Sequence, residues 1–449
     1  MIVTIYIVLI LVGLLLPGRY AAAGMPALWV LFNMGVPPDE ALASAGLMNI
    51  RGMDLMTMIL FGKFILRVLR EREMPYDRLL YSAICIFLAV NLTASLAAGL
   101  KLGDAQLMRG LTSLMRFSSE IMILPIIAQF IRTEAEARTC VWIVLGLLIA
   151  LALIQFIDFF GVNHGITIGE VQGLERKPPR FFGPVGDSIG TILLLGYVTS
   201  LCFGRWVGAA LFCGGILLTL GLNAVFITFM GTLFFLPFAM RSALFKESIR
   251  RNLWALPLVG TAVIIFGVLF VGPMTGPLRN RLSSGSAASS GIQRMASATM
   301  AGRIIADNPV LGVGYMGFQS ALEHYGGGEY FNLNRQDGAT ANTNNQLLQI
   351  LTDSGIAGLA AYLFLMFAAA RLFWSIATRW EDPFLKTFYL GAFIWLITQV
   401  FGNQAAVWLV PSSYFSRILW ILLGIAIAIE QRVPKKASTE TGVPQAATL

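Results

Sequence analysis

Apolar runs of membrane-spanning length recur along the chain at 2–16, 53–69, 79–100, 112–131, 139–160, 185–203, 206–222, 224–240, 255–273, 356–374, 386–402 and 414–430. A helix needs about 20 apolar residues to cross the hydrocarbon core, so the pattern predicts about twelve spanning helices. Segment 21–36 is shorter and interrupted by Gly24 and Pro26. It reads as a further span, a re-entrant segment or an interfacial helix. The expected fold is all-α: a polytopic membrane helix bundle of about 12 to 13 transmembrane helices.

One polar stretch breaks this rhythm. Residues 274–345 form a loop too long for a mere connection, so chemistry is expected there. The chain then divides into a membrane bundle at 1–273 with an outer loop at 161–184, the long loop at 274–345, further spans at 346–431, and a tail at 432–449. The tail carries Pro434 and Pro444 among small polar residues and reads as disordered. No internal repeat is visible.

Composition supports the membrane reading. Apolar residues make up 57% and charged residues 12%, against roughly a quarter charged in soluble proteins. Mean hydropathy is +0.74. The first apolar run carries no cleavage site and reads as an anchor. The net charge of +8 does not point to nucleic acid, because the basic residues cluster in short loops, as the positive-inside rule requires. Arg67, Arg70, Arg72 and Arg78 form one cluster; Arg241, Lys246, Arg250 and Arg251 another. Arg371, Arg379 and Lys386 form a third, and Arg432, Lys435 and Lys436 a fourth. All fall on one side, expected to be cytoplasmic, which leaves 161–184, 274–345 and 403–413 outside. Cys85, Cys140, Cys202 and Cys213 lie in or beside apolar runs, and His164 and His324 are the only histidines. No spacing suggests a metal, so neither metal nor other cofactor is expected.

Within the long loop, residues 283–290 are rich in Ser, Ala and Gly and read as flexible, and a helix is expected over 292–306. Asn308-Pro309 should stop it, since proline disfavours helical geometry in the preceding residue. Gly312, Gly314 and Gly317 then permit tight turns. Their amides either cradle an anion or simply turn the chain. Arg294 and Arg303 lie on opposite faces of the helix, and Arg294 is the one free to face inward.

The first outer loop carries Arg176, Lys177 and Arg180 beside Phe181 and Phe182. Basic residues outside need a reason; headgroup anchoring and a phosphate clamp both supply one. Lys63, Arg116, Glu120, Asp158 and Arg417 fall within spans and should face the bundle or a cavity. Arg116 and Glu120 are four apart and can pair on one face. Lys63 and Arg417 are expected to snorkel. Asp353 at the start of an apolar helix is costly without partners, and Gly355 and Gly358 suit close helix packing.

Together these segments resemble the O-antigen ligase and polymerase superfamily of Wzy/WaaL-like membrane glycosyltransferases. The resemblance rests on Arg294, Pro309, Gly312, Gly314, Asn345, Leu348, Asp353, Gly355 and Gly358, and on an earlier element from Arg180 and Gly183 to Ile189. It covers about residues 175–375 and implies a GT-C-like bundle in a bacterial inner membrane. Two departures stand out. Asn344 occupies the place of the ligases' His, and Leu222-Asn223-Ala224 lacks an Arg found in many members. The resemblance implies an inverting, metal-independent transfer from a polyprenyl-diphosphate-linked oligosaccharide to an acceptor glycan or lipid. Arg180 and Arg294 would clamp the diphosphate, because a guanidinium binds phosphate oxygens bidentately and stays charged. Asn344 and Asn345 would hydrogen-bond sugar hydroxyls. Candidate bases are His324, Glu323, Asp337, Glu329 and Asp353, unranked. The leading expectation is an exopolysaccharide or O-antigen polymerase. The alternative is a ligase, and a flippase or other transporter represents a different class. Membrane lipids are the remaining expected partner.

Overall fold

The computed structural model describes residues 43–45, 48–50, 52–161, 170–172, 180–183, 189–219, 222–241, 286–325, 343–402, 407, 409 and 414–432. The spans expected at 2–16, 21–36 and 255–273 lie outside the described residues, as do Arg176, Lys177, Glu329, Asp337 and the tail.

The described chain is predominantly helical. Helices α1 (Gly52–Glu71), α2 (Arg78–Leu102), α3 (Asp104–Ile121), α4 (Ile123–Phe130) and α5 (Glu134–Gly161) come first. They are followed by α6 (Ile189–Cys202), α7 (Trp206–Leu218), α8 (Leu222–Arg241), α9 (Ser286–Asp307) and α10 (Phe318–His324). Last come α11 (Gln346–Arg379), α12 (Pro383–Ile397) and α13 (Tyr414–Arg432). Among the described residues, five segments are long and apolar enough to cross a membrane: Arg78–Leu102, Asp104–Phe130, Glu134–Gly161, Gln346–Arg379 and Pro383–Gly402.

Two small antiparallel ribbons qualify the all-α expectation. Ala43–Ala45 (β1) pairs with Met48–Ile50 (β2), and Glu170–Gln172 (β3) pairs with Arg180–Gly183 (β4). The second ribbon lies in segment 161–184, expected to be an outer loop, and packs against α5. Periodicity misses such strands because they are only three or four residues long.

Helix ends follow local chemistry. Asp77 caps α2, accepting from the Leu80 amide at 2.8 Å. Asp382 caps α12, accepting from Leu385 at 2.7 Å, with Pro383 at the first helical position, where its missing N–H costs nothing. Both caps also carry an ion pair to another helix, Asp77 to Arg371 and Asp382 to Arg138. The expected span 112–131 divides at Met122. Pro125 offers no amide to the Ile121 carbonyl, which explains the break. Helix α9 starts at Ser286, earlier than expected, because Ala287 and Ala288 extend it through a stretch read as flexible.

The core centres on Phe87, Phe117, Tyr362, Tyr389, Trp395 and Trp420, all fully buried. Helix α11 packs against α2 and α12, and α13 against α4. The buried charges have partners that spacing does not reveal. Glu120 accepts from Arg417 Nε at 3.2 Å and Nη2 at 3.1 Å, and from Ser416 Oγ at 2.7 Å. The local pairing expected with Arg116, and the snorkelling expected of Arg417, give way to this contact between α3 and α13. At 5% and 6% exposure, each charge needs the other more than it needs solvent.

Arg417→Ala should therefore cost about 3 kcal/mol or more, because it leaves a buried carboxylate without its guanidinium. The double variant Glu120→Gln/Arg417→Met should recover most of that loss. Thermal unfolding of the purified protein in detergent checks both; equal losses would refute the pairing energetics.

Candidate functional site

The polar turn at 308–318 is built into a break in α11. Gly355 sits inside that helix with φ 63 and ψ −162, which interrupts the ladder. The groups freed there are taken up by the turn. The Val313 amide donates to the Thr352 carbonyl at 3.0 Å. Ile356 donates to Pro309 O at 2.9 Å, and Ala357 to Val310 O at 3.3 Å. A Cβ on Gly355 would lie 2.2 Å from Val310 O, and one on Gly312 (φ 65) 2.5 Å from Thr352 O. Both glycines are therefore required by close backbone approach as well as by positive φ. The Gly355 position, expected to serve close helix packing, serves this insertion.

Asp353 fixes the turn. Its carboxylate accepts from the Met316 amide at 3.1 Å, the Phe318 amide at 3.2 Å and Gln349 Nε2 at 3.0 Å to each oxygen. The side chain is buried at 3% exposure. The surrounding cavity, lined by Phe87, Asn91, Tyr315, Gln346 and Ser354 among others, holds about 10 Å³. That is room for one water and no sugar. In this arrangement Asp353 is a turn anchor rather than a base open to an acceptor.

The turn's own amides are spent in the same way. Gly312 donates to Asn308 O, Gly317 to Gly314 O, and Tyr315 to Ser95 Oγ at 3.1 Å. The anion that the Gly312-to-Phe318 turn cradles is thus the protein's own carboxylate. Gly314, at φ 90, turns the chain there.

The remaining candidates sit as follows. Arg294 lies on α9, exposed. Ser297, Met300, Ala301 and Ile304 are the buried stripe of that helix. Seven residues at about 100° each bring Arg294 within about 20° of Ala301, in line with this stripe. Arg303 falls about 200° from Ala301 and faces away. Arg180 opens β4; its side chain lies outside the described set. His324 ends α10, exposed, with its ring 5.5 Å from Tyr325; the Glu323 side chain is not among those described. Asn345 caps α11, accepting from the Leu348 amide at 2.9 Å. Asn344 precedes it at φ 53, half-buried.

Two cations escaped the sequence reading. Lys101 Nζ donates to Asn308 Oδ1 at 2.6 Å, and Arg109 Nη1 to Ser320 Oγ at 2.5 Å. Both are exposed, Lys101 in the last turn of α2 and Arg109 in the second turn of α3, on the side that the basic-loop pattern leads one to expect outside. Gln106 in the first turn of α3 donates to Val313 O at 2.6 Å. The available signal was the one used for Arg180: basic residues on the disfavoured side.

These features define a polytopic membrane protein whose polar turn is welded into a broken helix beneath a cationic rim. Residues 207–363, which contain the turn, α9 and the Gly355 break, match the family model for O-antigen ligase. Over that segment the chain is similar to the O-antigen ligase family. No curated protein matches the chain.

Asp353→Ala should release the turn, raising hydrogen exchange at amides 313–318 by about tenfold or more. Asp353→Asn, which keeps an acceptor oxygen, should raise it far less. Unchanged protection in Asp353→Ala would remove the anchor.

Proposed function

We propose that this protein is a polysaccharide polymerase. It transfers glycan from a polyprenyl-diphosphate donor to a sugar hydroxyl at the outer leaflet. The observation that carries the reading is the placement of Arg294. It stands in line with the buried stripe of α9, a helix packed against α11, inside the segment that matches the O-antigen ligase family. A rigidly based, exposed guanidinium at the outer end suits a lipid-linked diphosphate.

In this reading the acceptor oxygen attacks the anomeric carbon from the face opposite the diphosphate. The new glycosidic bond forms as the bond to the diphosphate oxygen breaks, and the electron pair leaves with the diphosphate. Arg294, with Arg180 as the second clamp, neutralises that developing charge. The acceptor proton passes to a base from the set His324, Glu323, Asp337 and Glu329. Asp353 is left out because its oxygens hold the turn. Asn344 and Asn345 orient sugar hydroxyls. No step needs a metal.

A ligase is the second reading, favoured by the description of the matching family. Polymerase ranks first because Asn344 supplies no imidazole where the ligases carry His. The two separate by product: a ladder of chain lengths marks a polymerase, a single transfer a ligase.

Arg294→Ala should lower transfer from undecaprenyl-diphosphate oligosaccharide by about 100-fold, in the range for losing a charge-stabilising donor, while Arg303→Ala stays near wild type. Radiolabelled product gels in detergent measure both. Absence of transfer by the intact protein across several acceptors would refute the enzyme reading, and equal effects of the two variants would refute the assignment of Arg294.

A further inference from the structure

At the opposite end of the bundle lies a cavity of about 460 Å³, within the size range of small-ligand sites. It is bounded by the α11–α12 connection, the start of α5 and the end of α13. The 24 residues from Gly355 to Arg379 rise about 36 Å along α11, so the cavity is remote from the 308–318 turn.

Its lining is polar and carries both signs of charge. Arg371, Ser375 and Arg379 recur every four residues and form a column of donors along one face of α11. Trp380 adds an indole N–H that has no hydrogen-bond acceptor among the described residues, on a side chain 8% exposed. A buried N–H left without an acceptor is costly, so a ligand oxygen there has a strong reason to bind. Glu430 on α13 and Glu381 in the α11–α12 connection also line the cavity. The other lining charges are already partnered within the fold: Arg138 with Glu134 and Asp382, and Arg371 with Asp77.

A simple anion satisfies Arg379 and Trp380 but is repelled by the two glutamates. A simple cation meets the reverse problem. A zwitterion with a phosphate and an ammonium a few bonds apart satisfies both. The cavity also lies at headgroup level. Trp142 and Trp374 are exposed at this end, stacked on Phe384 and tilted against Phe393 respectively. Exposed tryptophans at the ends of spans mark the interface between lipid and water.

We infer that this cavity is a binding site for a phosphoethanolamine group, with the phosphate on Arg379 and Trp380 and the ammonium on Glu430 and Glu381. The inference is independent of the transfer reaction and of the outer site.

Native mass spectrometry of the full-length protein in detergent, titrated with diacyl phosphatidylethanolamine or diacyl phosphatidylglycerol, tests it. The expected result is about tenfold preferential retention of the ethanolamine lipid, the size expected for a charge-assisted contact. Glu430→Gln should erase that preference by weakening the ethanolamine lipid alone, and Arg379→Ala should weaken both lipids. Trp380→Phe, which keeps the ring and removes the N–H, should weaken both more mildly. Thermal unfolding of each variant establishes that it is folded. Soluble phosphoethanolamine is added as a competitor. Displacement of lipid at equal concentrations assigns the site to a soluble phosphoamine; failure to displace assigns it to the lipid. Equal retention of the two lipids, unaltered by Glu430→Gln, overturns the proposal.

Discussion

The Asp353 carboxylate holds the start of α11, the Met316 and Phe318 amides and Gln349 together, and much of this end of the bundle depends on it. Placing a carboxylate in the interior of a membrane bundle costs several kcal/mol. Here the cost is offset by two backbone amides and a side-chain amide that would otherwise need acceptors of their own. The break at Gly355 is the second half of the device. A helix interrupted inside a bundle leaves backbone groups without partners, and in hydrocarbon such groups need protein to satisfy them. Residues 309–313 supply those partners, so neither the turn nor the broken helix is sound alone.

That mutual dependence fixes the 308–318 turn in place. Ser95 and Asn91 on α2 join the network, Ser95 accepting from Tyr315 and Asn91 accepting from Ser354 Oγ at 2.6 Å. Tyr315 then packs its ring 5.9 Å from Phe117 in the main core. A polar loop is thereby anchored to the same core that packs the spans, and α9, resting on α11, inherits a fixed position. Precise placement of a phosphate-binding arginine requires such a base. The far end is organised differently, by helix-capping aspartates that each pair with an arginine from another helix.

The sequence made some of this legible and hid the rest, for physical reasons. Long apolar runs revealed most described helices, and Asn308-Pro309 marked the stop of α9 because proline's constraint is local. The opposite faces of Arg294 and Arg303 followed from helical pitch alone. Long-range partners left no such trace. Glu120 reaches Arg417, nearly three hundred positions away, in preference to Arg116 on its own helix. Gly355 read as a packing glycine because its break is caused by a segment more than forty residues upstream. Lys101 and Arg109 were readable, since their expected place outside defies the positive-inside tendency, yet they look like ordinary surface charges until Asn308 and Ser320 are seen beside them.

The Asn344 position follows from the same network. Gln349, held by Asp353, accepts from the Thr343 amide at 3.0 Å, which sets the chain just before the Asn345 cap. Asn344 is thereby forced to positive φ, a region where Asn and His are both enriched among non-glycine residues. The backbone therefore accommodates either residue, and exchange between them changes the chemistry offered at the start of α11 without changing the fold. An imidazole there adds a proton acceptor; an amide adds only hydrogen bonds. The difference between Asn and His at this point is thus one of proton transfer rather than of fold.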